Sequence, residues 1–150
     1  MSRLYGDRDQ PITFPVSTAL SGLADGAIAI SDIINNQSKI LTEAFVRVQA
    51  TTVASVDGTG NLLVGAVGAI DGGTLFPDSA NQFLNIAGIM TANVDSSLFT
   101  SNIIPIAMLF NNILPEFWIL LVKNQTGKVL STAKNANLAT YQGIRGSVNV

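Results

Sequence analysis

The stretch Phe117-Trp118-Ile119-Leu120-Leu121-Val122 carries six consecutive large apolar residues, and it decides how the rest of the chain can fold. Pro115 precedes it, and Asn124-Gln125-Thr126-Gly127 follows it. Gly127 can adopt a positive φ, so this second segment predicts a reversal of the chain. A short apolar run with no polar side is typical of a strand covered on both faces. We therefore expect a central strand here, covered within the fold or by another subunit.

Similar short apolar runs recur along the chain and are separated by Gly, Asn and Asp. From Glu43 to Thr52 the residues alternate as in a half-buried strand, with one apolar face made of Ala44, Val46, Val48 and Ala50. Seven or eight such segments with turn residues between them predict an all-β fold. We expect an antiparallel β-sandwich of jelly-roll type.

One region also fits a helix. Between Ile28 and Phe45 the apolar residues recur at a helical period as well, namely Ile30, Ile33, Ile34, Leu41 and Phe45. The β-branched residues that follow, from Val46 to Val53, favour a strand. Period alone does not decide between the two, so a helix remains an alternative for this region.

The first twenty residues differ from the rest. They hold four charged side chains and two prolines, Pro11 and Pro15. Proline fixes φ and removes a backbone donor, so we expect an extended N-terminal arm over residues 1–20 and a sandwich domain over residues 21–150. Such an arm is either a frayed terminus or a segment that reaches a neighbouring subunit.

The amino-acid composition excludes several classes of function. The chain has 150 residues, of which 47% are apolar and 12% charged, with no Cys and no His. Thiol nucleophiles, histidine triads and the common zinc sites are therefore excluded. The net charge of −2 argues against nucleic-acid binding. The apolar stretch from Ile103 to Val122 is interrupted by Pro, Asn and Glu, so we expect no membrane span.

No motif indicates catalysis, a cofactor or a metal ion. The two glutamates, Glu43 and Glu116, lie far apart in the sequence, and we expect no enzymatic activity. The segment Asp57-Gly58-Thr59-Gly60 has oxygens at alternate positions, but apolar residues follow where a calcium loop needs ligands. We interpret it as a hairpin turn. Gly65 and Gly68, within an apolar run, predict a bulge or close packing.

Three segments carry a family resemblance. They are Leu114 to Gly127, Ala139-Thr140-Tyr141-Gln142-Gly143-Ile144 near the end, and Leu4 to Phe14 at the start. Together they resemble a family of small virion structural proteins of tailed bacteriophages. The shared pattern is an aromatic strand after a proline, an Asn-x-Thr-Gly turn and a closing Tyr-x-Gly strand.

The resemblance implies a sandwich fold and a role as a capsid decoration or cement protein, or as another head or tail component. From it we expect a virion protein, assembled in the host cytoplasm, that binds the outer surface of the major capsid protein lattice. Capsid lattices offer threefold sites, so we expect a homotrimer. The alternatives are a tail or baseplate component and a carbohydrate-binding sandwich module that attaches to surface sugars.

We place the partner contacts on the arm and on the apolar stretch that precedes the central strand. The predicted contact residues are Arg3, Leu4, Tyr5, Arg8, Phe14, Ile103, Ile104, Ile106, Met108 and Phe110. The surplus of apolar residues over charged ones predicts that such surfaces are hidden against neighbours.

Overall fold

A computed structural model describes residues 7–8, 12–13, 19–37, 40–69, 86–91 and 97–145. Their regular elements are strands and one short 3₁₀ helix, Ala107–Phe110. The strands are β1 (Asp7–Arg8), β2 (Ile12–Thr13), β3 (Ile28–Ile30), β4 (Ile34–Asn35), β5 (Leu41–Thr51), β6 (Asn61–Ala69), β7 (Ile86–Thr91), β8 (Leu98–Thr100), β9 (Ile104–Pro105), β10 (Phe117–Gln125) and β11 (Leu138–Arg145).

The strands form two antiparallel sheets that pack face to face as a β-sandwich. The first sheet has the order β1-β11-β5-β8, with β2 beside β11 and β9 beside β5. The second sheet has the order β3-β10-β6-β7, with β4 beside β10. The predicted all-β sandwich is confirmed, while the jelly-roll topology and the domain boundary after residue 20 stay predictions. Within the predicted arm, the backbones of β1 and β2 pair with β11 of the same chain.

The helical alternative between Ile28 and Phe45 is wrong, because β3, β4 and the start of β5 occupy the described part of this region. The apolar residues of this region fit a helical period, while the β-branched residues favour a strand. Pairing with other strands determined that the region forms strands. Backbone hydrogen bonds from β10 fix β3 and β4, and those from β11 fix β5. These contacts span more than seventy residues of sequence, so no local pattern reports them.

The core lies between the two sheets. From the first sheet it receives Ala44, Val46, Val48 and Ala50 of β5, all fully buried, as the alternation predicted. From the second sheet it receives Trp118, Leu120 and Val122 of β10. Trp118 meets Tyr141 of β11 edge to face, with ring centroids 5.7 Å apart and planes at 76°. This aromatic contact joins the two layers.

The two sheets differ in their outer faces. Outward positions of the first sheet are mostly polar, including Arg47 and Thr100, which are exposed. On the second sheet, Val67, Ile119 and Leu121 form a buried outward cluster against which Ile28 packs. The six residues from Phe117 to Val122 are all buried, so the prediction of a central strand covered on both faces is confirmed.

Three predictions about turns and glycines have different outcomes. Gly127 adopts φ +74° and reverses the chain after β10, as predicted. The register of β6 against β7 shifts between Val64 and Gly65, as a bulge there would produce. A Cβ on Gly68 would lie 2.3 Å from Pro115 Cγ, so the predicted close packing is confirmed. The segment from Asp57 to Gly60 is a turn but not a hairpin, because it joins β5 of the first sheet to β6 of the second.

Candidate interaction surfaces

The predicted contact segment from Ile103 to Phe110 divides between core and surface. Ile103 is 70% exposed and Met108 is 54% exposed, while Phe110 is half-buried. Ile104 and Ile106 are buried in the core and have no surface to offer a partner. The reason is the pairing of β9 with β5, which sets Ile104 opposite the inward Val46, and the bond from Ile106 N–H to the Ala44 carbonyl (2.9 Å).

Most of the predicted contacts on the N-terminal arm lie outside the described residues. Arg3, Leu4, Tyr5 and Phe14 are outside the described residues. Arg8 belongs to β1, where its backbone pairs with Ile144 of β11. The arm contacts therefore stay predictions.

The two most exposed large apolar side chains of the described residues border a cleft of about 380 Å³ at the Phe117 end of β10. Ile40 is 75% exposed and Ile113 is 74% exposed, and the walls between them include Leu41 and Leu114. We call this surface the apolar end, defined by Ile40, Ile113 and the cleft. Sequence reasoning missed both isoleucines, since each stands next to a leucine in a short apolar pair, and the sequence does not show that the leucine is the buried member.

The loop that carries Ile40 is held by Asn36. The buried Asn36 side chain accepts a hydrogen bond from Leu41 N–H (2.7 Å) and donates one to the Leu41 carbonyl (3.1 Å). Its carbonyl accepts a bond from Ile40 N–H (2.8 Å), and its own N–H donates to the Glu116 carbonyl (2.7 Å). With a further bond from Asn36 Nδ2 to the Pro115 carbonyl (3.4 Å), these contacts tie Asn36, Ile40 and Leu41 to the entry of β10.

The loop that carries Ile113 is fixed in a similar way. Asn111 and Asn112 adopt φ +55° and +65°, a conformation that asparagine tolerates. Asn112 N–H donates to the Ala107 carbonyl (2.9 Å), and Ile113 N–H donates to the Phe110 carbonyl (3.1 Å). The Glu43 carboxylate in turn accepts a bond from Ala107 N–H (2.8 Å). Backbone hydrogen bonds therefore hold both isoleucines in place.

The opposite end of the sandwich holds a more polar cleft of about 790 Å³. Its lining includes two carboxylates, Asp25 and Asp57, and two ammonium groups, Lys123 and Lys128. Asp25 accepts a bond from Gly127 N–H (2.9 Å). Bonds from the Thr59 hydroxyl (2.6 Å) and Thr59 N–H (3.0 Å) lower the pKa of Asp57, with a smaller contribution from Lys128. Both carboxylates thus order the loops of this cleft.

Three further features of the described residues bear on possible ligands. Among the described residues, no three acidic side chains gather into a group that could hold a metal ion. Trp118 and Tyr141 are buried, so neither can stack on a sugar ring. No helix in the described ranges is both long enough and apolar enough to span a bilayer.

Comparison of the chain with protein-family models and with curated proteins gives no match.

Proposed function

We propose that this protein is a non-catalytic structural component of a bacteriophage virion, and specifically a head decoration or cement protein. The proposal combines the resemblance at the two ends of the sequence with the character of the surface. A sandwich with few charges carries exposed isoleucines and methionine on ordered segments, which is typical of a part that binds neighbours.

The observation that carries the proposal is the exposure of Ile103 and Met108. Both lie in the stretch predicted to contact the capsid, and neither is covered by the described part of the chain. Burying one such side chain against a partner contributes about 2 kcal/mol, at about 25 cal/mol per Å² of apolar area. A decoration protein that spans two capsid subunits adds this energy to their association, because it binds the assembled lattice and not the separated subunits.

A carbohydrate-binding module needs aromatic side chains that stack on sugar rings, and the sequence offers three scattered candidates, Trp118, Tyr141 and Tyr5. The first two are in the core. The third, Tyr5, lies outside the described residues.

A tail or baseplate position uses the same kind of surface and differs from a head position in copy number. Cryo-electron microscopy of the intact particle therefore tests the proposal, with density repeated over the head lattice as the expected result. Density confined to the tail would favour the tail alternative, and a particle without the protein would refute both.

A mutation tests the contact residues. In particles that lack the protein, purified Ile103→Asp and Met108→Asp variants should rebind at least tenfold more weakly than the natural chain, because a carboxylate would be buried at the interface. Val129→Asp is the control, since Val129 is also an exposed apolar residue (42%) and follows Lys128, which lines the polar cleft. Rebinding of all three variants at the natural affinity would remove Ile103 and Met108 from the interface.

A further inference from the structure

We infer that Asp57-Gly58 is a site of spontaneous isomerisation to isoaspartate, in which the main chain comes to run through the Asp57 side chain. The inference goes beyond the proposed function, because it concerns a turn at the polar cleft and needs no partner. Glycine follows three aspartates, Asp25, Asp57 and Asp71, of which Asp71 lies outside the described residues. Glycine has no Cβ to hinder the approach of its nitrogen to the preceding side chain. The folded structure distinguishes Asp57 from Asp25.

The reaction proceeds in two steps and consumes nothing but water. In the first step, the Gly58 nitrogen loses its proton and bonds to Cγ of the protonated Asp57 carboxyl group. One carboxyl oxygen leaves as water, and an imide ring closes. In the second step, water adds to the main-chain carbonyl carbon of Asp57 and breaks the bond from that carbon to the Gly58 nitrogen. The mass of the chain is unchanged, and its backbone is longer by one methylene group.

The attacking nitrogens at the two sites differ in their hydrogen bonds. Gly26 N–H donates to the Asn124 carbonyl (2.7 Å). Within the part of the chain that the structure describes, Gly58 N–H has no acceptor. An amide that donates a hydrogen bond loses its proton only after that bond opens. The fold therefore protects the nitrogen that would attack Asp25 and leaves the one beside Asp57 available.

The two carboxyl groups are also held differently. Asp25 Oδ1 is bound to Gly127 N–H (2.9 Å), in the turn after β10, so reaction at Asp25 has to break this bond to a distant segment as well. Asp57 Oδ1 accepts bonds from Thr59 N–H (3.0 Å) and the Thr59 hydroxyl (2.6 Å), two residues along the same turn. This arrangement folds the Asp57 side chain over the Gly58 peptide group. Both Thr59 donors can stay on Oδ1 while the other oxygen leaves, and they stabilise the charge that Oδ1 gains.

Ageing of the natural chain in mildly acidic buffer tests the inference, with isoaspartate measured by chromatography of the digested peptides. In the folded protein, isoaspartate should form at Asp57 at least about fivefold faster than at Asp25, because the bond of Gly26 must open first. In concentrated urea, where this bond is absent, the two rates should be about equal. Equal rates in the folded protein would overturn the inference. A difference that persists in urea would also overturn it, since it would come from the flanking residues and not from the fold.

Asp57→Glu is the matched control, because it keeps the carboxylate but adds one methylene group, so that the corresponding ring closes far more slowly. Circular dichroism checks that the variant is folded. After the same ageing, its peptide should show no new form at position 57, while isoaspartate at Asp25 should accumulate as slowly as in the natural chain. A new form of the peptide at position 57 in this variant would show that a reaction other than imide closure modifies the turn, and it would refute the inference.

Discussion

At the scale of single residues, Asn124 shows how a buried amide can organise a chain reversal. Its Nδ2 donates to the carbonyls of Leu23 (3.0 Å) and Lys128 (2.8 Å). Its Oδ1 accepts from Thr126 N–H (3.0 Å) and the Thr126 hydroxyl (2.8 Å). Asn124 is fully buried, so these groups have no access to water as a replacement.

Asn124→Ala should therefore lower the free energy of unfolding by about 3 kcal/mol, because several buried polar groups lose their partner at once. Urea denaturation measures this change. Asn102→Ala is the control, since Asn102 is exposed, and it should change stability by less than about 0.5 kcal/mol. Equal stability of the two variants would show that the bonds of Asn124 contribute nothing net.

At the scale of elements, two glycines show how closely neighbouring segments approach. A Cβ on Gly60, at the entry of β6, would lie 2.5 Å from the Thr126 carbonyl oxygen, which is backbone. A Cβ on Gly88 of β7 would meet the Ile104 Cδ1 atom at 2.6 Å, which is the end of a side chain. The first neighbour cannot move without displacing the turn after β10, whereas the second can change rotamer.

Gly60→Ala should consequently cost about 3 kcal/mol of stability, and Gly88→Ala about 1 kcal/mol. Thermal unfolding followed by circular dichroism measures both variants against the natural chain. The order of the two effects is the test. If Gly88→Ala loses more stability than Gly60→Ala, the backbone at the entry of β6 adjusts more readily than the Ile104 side chain of β9.

At the scale of the whole molecule, the two sheets share one core and should unfold together. Trp118 of the second sheet reports on its contact with Tyr141 of the first, while far-ultraviolet circular dichroism reports on all strands. We expect the two signals to change at the same urea concentration, within experimental error. Tyr141→Leu should shift both curves equally to lower urea. Separate transitions would show that one sheet persists after the other has unfolded.

Much of the fold could be predicted from the sequence, because strand periodicity is a local signal. The alternation of β5 predicted which of its residues face the core, and the apolar run of β10 predicted a strand covered on both sides. The turn at Gly127 was also predicted, since glycine tolerates the left-handed conformation. The candidate surface was predicted less well, with Ile103 and Met108 exposed but Ile104 and Ile106 in the core.

By itself, the sequence predicted strands along most of the chain, since the alternation of apolar side chains every second residue suits an extended backbone. The helical alternative between Ile28 and Phe45 was excluded only by the pairing of strands. It also determined that the chain has no thiol and no imidazole group. Only the tertiary structure decided which strands pair, that the Asp57 turn crosses between sheets, and that Ile40 and Ile113 border one cleft. The physical reason is distance along the chain, because these contacts join residues that are far apart in sequence. A local pattern shows which side of a strand is apolar, but it does not show which other strand or loop packs against that side.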